Sequence, residues 1–265
     1  MINFVAITPH PAVIIPSIGG AQLSLVKKTI SAMEDLAEEL AKYQPHTIAI
    51  ISPHGPMRYD KFTINLDESF RGSFSSFGVY DDNEMDFLNN LPLAKKLLER
   101  LREEHFPVDL IREEAIDVGS LVPLYYLTSK LERRPKIIPL TFTALSWEMH
   151  YQVGKIIGET FEQDDQNIVL IASGDLSHRL TESAPAGYSP YGIKFDHALM
   201  EMLKKNEHHK ILHLNPEFCN EAGECGLRSI IMTLGAISGF KSSFSQLSYE
   251  SPFGVGYLVG KWKIG

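Results

Sequence analysis

Apolar residues recur along the chain in two patterns that alternate from one segment to the next. Short runs rich in β-branched residues, HTIAIIS at 46–52 and NIVLIAS at 167–173, are apolar almost throughout. Such runs are typical of strands buried on both faces of a sheet. Longer stretches repeat their apolar residues at helical spacing, as at 20–43, where Ile30 and Met33 share one face.

These patterns predict the order of the elements and the fold class. Strands are predicted at residues 3–7, 46–52, 62–66, 108–112, 136–142 and 167–173, with two more between 243 and 263. Helices are predicted at residues 20–43, 84–104, 119–130, 147–162, 192–206 and 225–239. This alternation predicts an α/β fold with a central mixed, mostly parallel sheet flanked by helices. The chain has no internal repeat, and its length allows one large domain or two small ones.

Composition and charge narrow the class of protein. The chain has 265 residues and a formal net charge of −8, which argues against nucleic-acid binding because phosphate contacts need clustered Lys and Arg. No apolar run reaches about 18 residues, so no membrane span is expected. The first residues lack a basic signal-peptide start and are expected to form the first strand. The two cysteines, Cys219 and Cys225, make no disulfide framework, and a reducing cytoplasm is the expected location.

Two motifs place a histidine directly after a predicted strand. His10 lies in TPHP after the first strand, and His54 lies in SPHG after the second. Proline restricts the backbone around each histidine, so the imidazole is held stiffly, as a metal ligand should be. A single loop histidine is more often structural, but two alike copies at matching strand ends favour a metal-binding role.

A third motif, SGDLSH at 173–178, follows the strand at 167–173. Histidine is the natural general base near neutral pH, and a nearby carboxylate can fix its tautomer, which makes His178 and Asp175 candidate catalytic residues. The alternative is that Asp175 caps a helical turn, which leaves His178 unexplained. Since the carboxyl ends of parallel strands meet at one edge of the sheet, these residues are expected to lie near His10 and His54.

A fourth motif, NEAGECG at 220–226, opens a predicted helix. Glu221, Glu224 and Cys225 are all competent metal ligands. Acidic residues at a helix N-terminus are also favoured by the helix dipole, so the residues alone leave the third ligand open.

Two histidines and one carboxylate with open coordination positions are typical of non-heme Fe(II) oxygenases. The same donors fit a zinc hydrolase, and spacing does not separate the two. The sequence has no HExxH, P-loop or GxSxG motif, and no GxGxxG follows a strand. These absences argue against the common metalloprotease, nucleotide-binding and serine hydrolase classes.

At these residues the chain resembles the class III, LigB-type extradiol dioxygenase superfamily. The likeness runs through ITPHPAVIIPSIGG at 7–20, ISPHG at 51–55, SGDLSHRLTESAPAGY at 173–188, ECGLRSIIMTLGAI at 224–237 and YESPFGVGY at 249–257. It is nearest to the LigB-like part of the AmmeMemoRadiSam system proteins, which also resembles the Memo proteins. The resemblance covers nearly the whole chain and implies a single α/β domain over residues 1–265, with no fused second domain expected.

The resemblance implies that His10 and His54 are iron ligands. True dioxygenases of this kind use glutamate as the third ligand, which favours Glu224. Memo-like relatives have a cysteine at the comparable place, which Cys225 matches, and Glu221 is a further alternative. The implied activity is Fe(II)-dependent ring opening of a small catecholic diol with dioxygen, with zinc or copper as alternative metals.

The resemblance also implies that His178 is the active-site acid/base. At one position this chain departs from the pattern of its relatives. Many extradiol relatives carry Asp-His-Gly before Val-Pro-Leu, whereas here Val118 stands in the place of that substrate-contacting histidine. Valine offers no hydrogen bond, which weakens the expectation of catechol cleavage. The alternatives are a Memo-like metal-binding protein without ring cleavage, working with AmmeMemoRadiSam partner proteins, and a zinc-dependent hydrolase. The oligomeric state is left open, with a homo-oligomer as one candidate.

Overall fold

The computed structural model describes residues 1–80 and 85–265 and centres on an eight-stranded sheet. Its strands are β1 (Ile2–Thr8), β2 (Thr47–Ser52), β3 (Phe62–Asn65), β6 (Val108–Ile111), β7 (Lys136–Thr141), β8 (Ile168–Ser173), β9 (Ser242–Glu250) and β10 (Tyr257–Ile264). Two further strands, β4 (Ser69–Gly72) and β5 (Met85–Leu88), form a separate antiparallel pair.

The strand order in the sheet is β6-β3-β7-β2-β8-β1-β10-β9. The four central strands β7, β2, β8 and β1 run parallel, while β10 and β9 are antiparallel on one side and β3 pairs antiparallel with β7 on the other. This mixed, mostly parallel sheet confirms the predicted fold class. Its carboxyl edge collects the loops that follow β1, β2 and β8.

Helices cover both faces of the sheet. They are α1 (Pro16–Gly19), α2 (Lys27–Ala41), α3 (Leu91–Glu103), α4 (Val118–Leu127), α5 (Trp147–Glu162), α6 (Pro190–Lys204), α7 (His208–Leu212), α8 (Pro216–Ala222) and α9 (Leu227–Ala236). Apolar residues of α3, α5, α6 and α9 form one buried cluster with one face of the sheet, and those of α2 and α4 form a second cluster with the other face. Successive residues of β2 enter the two clusters in turn, which explains its continuous apolar run. None of the described helices is long and apolar enough to cross a bilayer.

Two helix predictions were wrong at their N-terminal ends. The helix predicted at 84–104 begins only at Leu91, because Asn90 caps it and accepts from the Leu93 N–H. The residues before it form β5, in which burial alternates along the strand, and residue 84 lies outside the described residues. In the segment predicted as a helix at 20–43, the first residues form a short 3₁₀ helix and α2 begins at Lys27. The patterns also missed β4, α1, α7 and α8, which are short.

Candidate metal centre

Three strand ends bring four predicted site residues to the carboxyl edge of the sheet. His10 follows β1, His54 follows β2, and Asp175 and His178 follow β8. Strand β8 lies between β1 and β2, so the three loops are neighbours. The resulting cluster is called the imidazole cluster below and consists of His10, His54, Asp175 and His178.

The two Pro-His motifs point their imidazoles at each other. The Nε2 atoms of His10 and His54 are 3.1 Å apart. The Nδ1 of His10 lies 3.0 Å from Ser173 Oγ, and this hydroxyl donates to the Gly119 carbonyl at 2.5 Å. Since its only proton is committed to Gly119, Ser173 must accept from the Nδ1–H of His10. The Nε2 of His10 therefore carries a free lone pair aimed at His54, as a metal ligand requires.

Asp175 joins the two histidine-bearing loops. It is buried, and its Oδ1 accepts from the His10 backbone N–H at 2.9 Å. Its Oδ2 lies 3.9 Å from the Nε2 of His10 and 4.0 Å from the Nε2 of His178. The carboxylate thus lies between the two imidazoles, beyond hydrogen-bond distance of either ring nitrogen.

His178 is fixed by the segment that precedes α9. Its Nδ1 lies 2.9 Å from the Gly223 carbonyl oxygen, which can only accept, so the proton of the neutral ring lies on Nδ1. The Nε2 then faces Asp175 with a free lone pair. The side chain is 27% exposed, so a molecule entering from solvent can reach it. This arrangement suits a residue that accepts and returns a proton.

The structure brings Cys225, and not Glu224, to the imidazole cluster. The Sγ of Cys225 lies 3.8 Å from the Nε2 of His10 and accepts from the Asp175 N–H at 3.3 Å. The Glu224 carboxylate instead accepts from the Leu227 N–H at 2.6 Å, at the start of α9. Burial raises the pKa of Glu224 to about 7.

The side chains of Glu224 and Glu221 both contact residues outside the imidazole cluster. Glu224 lines a separate cavity of about 430 Å³ together with Trp147 and Leu212. Glu221 pairs with Arg179 at 3.3 Å, and its carboxylate is more than half exposed. Of the three predicted alternatives for the third ligand, Cys225 is therefore the one that the fold directs at His10.

Several residues that shape the site were not predicted from the sequence. Ser52 donates its hydroxyl to Asp117 and accepts from the His54 N–H at 3.2 Å. A Cβ atom on Gly119 would lie 2.4 Å from Ser52 Oγ and 3.2 Å from the His54 ring, so a larger residue would displace the histidine. One feature of the sequence could have indicated such residues: a polar residue at the end of an apolar strand. Ser52 and Ser173 both have this position.

The electrostatics keep the candidate ligands in defined states. Burial lowers the pKa of His10, although the nearby Asp175 carboxylate opposes the shift, so the ring is a neutral donor. Desolvation, reinforced by the charge of Asp175, raises the pKa of the Cys225 thiol well above its ordinary value. Binding of a cation by Cys225 therefore requires loss of a proton from this thiol.

The donor set fits a divalent transition metal. Within residues 1–80 and 85–265, no group of three His, Cys, Asp or Glu side chains is already arranged as a metal site. The two facing Nε2 atoms, however, have about the separation of adjacent imidazole ligands on one ion, since each metal–nitrogen bond is about 2.0–2.1 Å long.

A family comparison agrees with this geometry. Residues 4–260 match the model of the catalytic LigB subunit of aromatic ring-opening dioxygenase. The chain belongs to the LigB family. This confirms the predicted superfamily, while the nearness to the Memo-like branch stays a prediction.

The LigB chain is similar in sequence to a protein with a locus name and to a named dioxygenase. It is 34% identical to a Clostridium acetobutylicum protein that carries only a locus name, covering 98% of this chain and 57% of that protein. The chain thus spans little more than half the length of this relative. It is 22% identical to 3,4-dihydroxyphenylacetate 2,3-dioxygenase of Escherichia coli, covering 92% of this chain and 96% of that protein.

A second dioxygenase and a solved structure extend the comparison of the LigB chain. The chain is 26% identical to 2,3-dihydroxyphenylpropionate/2,3-dihydroxicinnamic acid 1,2-dioxygenase of Photorhabdus laumondii, covering 57% of this chain and 49% of that protein. The crystal structure of an uncharacterized protein from Escherichia coli has the same fold. Its TM-score is 0.67 at 16% identity, covering 97% of this chain and 98% of that one.

Outside the imidazole cluster, His150 of this LigB chain has a structural role. It is fully buried, its Nε2 accepts from the Thr143 N–H at 3.1 Å, and its Nδ1 lies 2.7 Å from the Ser146 carbonyl oxygen. Burial lowers its pKa to about 4. The unfolded chain therefore takes up this proton first as pH falls.

We expect the His150 contribution to the free energy of unfolding to be present above about pH 6.5 and to be lost as pH falls towards 4, by roughly 3 kcal/mol at most. The measurement is urea unfolding between pH 7.5 and 4.5. His150→Gln should be less stable at pH 7.5 but show a shallower loss. Parallel pH profiles for the two proteins would refute the assignment.

Proposed function

We propose that this chain is a metal-dependent dioxygenase that opens the ring of a small aromatic diol with dioxygen. The observation that carries the proposal is the pair of Nε2 atoms of His10 and His54, 3.1 Å apart, with the lone pair of His10 made available by Ser173. Membership of the LigB family supports the reaction class. Fe(II) is the proposed metal because it binds imidazole and activates dioxygen in sites with open positions.

In this proposal each residue has a separate task. His10 and His54 hold the metal, and iron bound there supplies the redox chemistry that dioxygen needs to react with a diol. Ser173 keeps the ring of His10 in the ligating tautomer. His178 takes a proton from a diol hydroxyl at Nε2 and later returns it, while Asp175 stabilises the imidazolium that forms.

The third donor is proposed to be Cys225, because its sulfur already lies 3.8 Å from the Nε2 of His10. Cys225→Ala should therefore lower the affinity for the metal at least about tenfold. Glu224→Gln should leave it little changed, because a glutamine oxygen can still accept from the Leu227 N–H. Anaerobic Fe(II) titration against a competing chelator measures both variants. The reverse order of effects would restore Glu224 as the ligand.

A second candidate function is metal binding without ring cleavage, in a Memo-like protein that works with AmmeMemoRadiSam partner proteins. Two observations favour it. Thiolate is a softer donor than carboxylate and suits copper or zinc better than Fe(II), and Cys225 is the one of the three candidate third ligands whose side chain lies beside His10. Val118, in addition, is the first residue of α4, is packed partly into the core and offers no hydrogen bond to a diol.

Metal analysis followed by oxygen uptake tests these functions together. The protein is purified without chelator, its metal content is measured, and the Fe(II)-loaded form is offered a panel of catechols in an oxygen electrode. Iron with stoichiometric uptake of dioxygen supports the dioxygenase. Copper, or full iron loading with no uptake on any diol, supports the second candidate. Zinc with hydrolysis of a chromogenic ester would instead indicate a zinc-dependent hydrolase.

A further inference from the structure

A buried carboxylate behind the imidazole cluster has no place in the proposed chemistry. Asp196 of α6 is fully buried, and burial raises its pKa to about 6. It accepts two hydrogen bonds, from the Ser177 N–H at 2.9 Å and from the Tyr249 hydroxyl at 2.6 Å. Burying an acid is costly unless its hydrogen bonds are made, and both donors to this carboxylate come from other parts of the fold.

The donor from Ser177 connects Asp196 to the loop that carries the catalytic candidates. Ser177 lies between Asp175 and His178 in the chain, so a carboxylate holding its N–H holds the turn on which both side chains stand. The Ser177 hydroxyl donates to the Ala222 carbonyl at 2.7 Å, on the segment that precedes Cys225. The loop is thus fixed to α6 on one side and to the end of α8 on the other.

The residue that precedes β10 packs against the same carboxylate. The Gly256 N–H donates to the Ser177 carbonyl at 2.9 Å, and the Leu176 N–H donates to the Gly256 carbonyl at 2.8 Å. A Cβ atom on Gly256 would lie 2.2 Å from Asp196 Oδ2. Only glycine at this position leaves room for both the carboxylate and the two backbone hydrogen bonds that hold the loop.

We propose that Asp196 and Tyr249 are positioning residues that set the place of His178 relative to the metal ligands by holding Ser177. The inference rests on the proposed function for its purpose, but its geometry is independent of the metal. The Tyr249 hydroxyl orients the carboxylate, and the carboxylate orients the Ser177 N–H. His178, next in the chain, then keeps its Nδ1 on the Gly223 carbonyl and its Nε2 towards Asp175.

The first test uses metal-free protein, so that failure of the metal site cannot be confused with failure of this inference. Long-range ¹H–¹⁵N spectra at pH 8 report the tautomer of His178, whose signals are assigned by comparison with His178→Gln. Wild type should show the proton on Nδ1. Tyr249→Phe should show a mixture of tautomers, because one anchor of the carboxylate is lost. An unchanged tautomer in Tyr249→Phe would overturn the proposal.

Thr160→Val is the matched control for a buried hydroxyl. Thr160 is fully buried and donates to the Ile156 carbonyl at 2.6 Å inside α5, away from the imidazole cluster. Both variants lose a buried hydrogen bond, so both should unfold at lower urea concentration. Only Tyr249→Phe should move the His178 signals. Equal changes in both spectra would show a merely structural role and would also overturn the proposal.

Asp196→Asn tests whether hydrogen bonding is what positions the loop. Its amide oxygen can accept from the Ser177 N–H, and its amide nitrogen can donate to the Tyr249 oxygen. This variant should keep the tautomer of wild type, whereas Tyr249→Phe should show the mixture of tautomers. Asp196→Leu, which can make neither hydrogen bond, should lose the wild-type tautomer of His178. If Asp196→Asn lost it as well, positioning by these hydrogen bonds would be contradicted.

Discussion

His10→Ala is expected to abolish metal binding while the chain stays folded. The imidazole of His10 is central to the site, since its Nε2 lies near both the His54 nitrogen and the Cys225 sulfur. Losing an outer-shell partner already costs about 10–100-fold in metal affinity, and losing a ligand costs more. The affinity for Fe(II) should therefore fall by more than about 100-fold.

The fold should survive because the imidazole adds little to the two apolar clusters, which are built from other side chains. Its removal leaves Ser173 without one hydrogen-bond partner, which costs about 1–3 kcal/mol. Circular dichroism and urea unfolding measure this, and elemental analysis measures the metal. His46→Ala is the matched control, because His46 lies just before the opposite end of β2 and should leave metal content unchanged. Undiminished metal in His10→Ala would refute the ligand assignment.

The sheet and the gathering of the site residues follow from the sequence for one physical reason. Strands buried on both faces must be apolar throughout, as β2 and β8 are, so polar residues appear only where each strand ends. Parallel strands end at the same edge of the sheet, which brings His10, His54 and His178 together. Strand-end motifs therefore predicted both the fold and the location of the imidazole cluster.

The third donor could not be predicted in the same way. Glu224 and Cys225 are adjacent, and spacing in the sequence does not show which side chain faces the cluster. The choice depends on one local hydrogen bond, from the Leu227 N–H to Glu224, which turns that carboxylate away from His10. This hydrogen bond competes with metal ligation by Glu224. It depends on the three-dimensional structure at the start of α9, which the sequence pattern does not show.

Short elements escaped the sequence patterns for a related reason. Strand β5 spans only four residues, and its alternation of buried and exposed positions is too brief to compete with the helical pattern that follows. Asp196 was missed because it lies within an amphipathic helix, α6, where a charged residue is ordinarily on the solvent face. Its contacts with Ser177 and Tyr249 come from remote parts of the chain.

The second large effect is expected from His178→Gln in protein that consumes oxygen with a diol. Glutamine is polar but cannot carry a proton from one step to another, so kcat should fall about 10²–10⁴-fold, the usual contribution of a general acid/base. Metal content should be retained, because the Nε2 of His178 faces Asp175, and the three proposed donors remain. His213→Gln, a change at a surface histidine of similar chemistry, should leave kcat unchanged.

Two further readouts distinguish a proton carrier from a ligand. Oxygen uptake at saturating diol gives kcat, while elemental analysis of the same samples gives occupancy. Because the side chain is 27% exposed, added imidazole should restore part of the lost rate in His178→Gln and none in His10→Ala. Loss of metal along with the rate would make His178 a ligand. An unchanged kcat at full occupancy would remove it from the chemistry altogether.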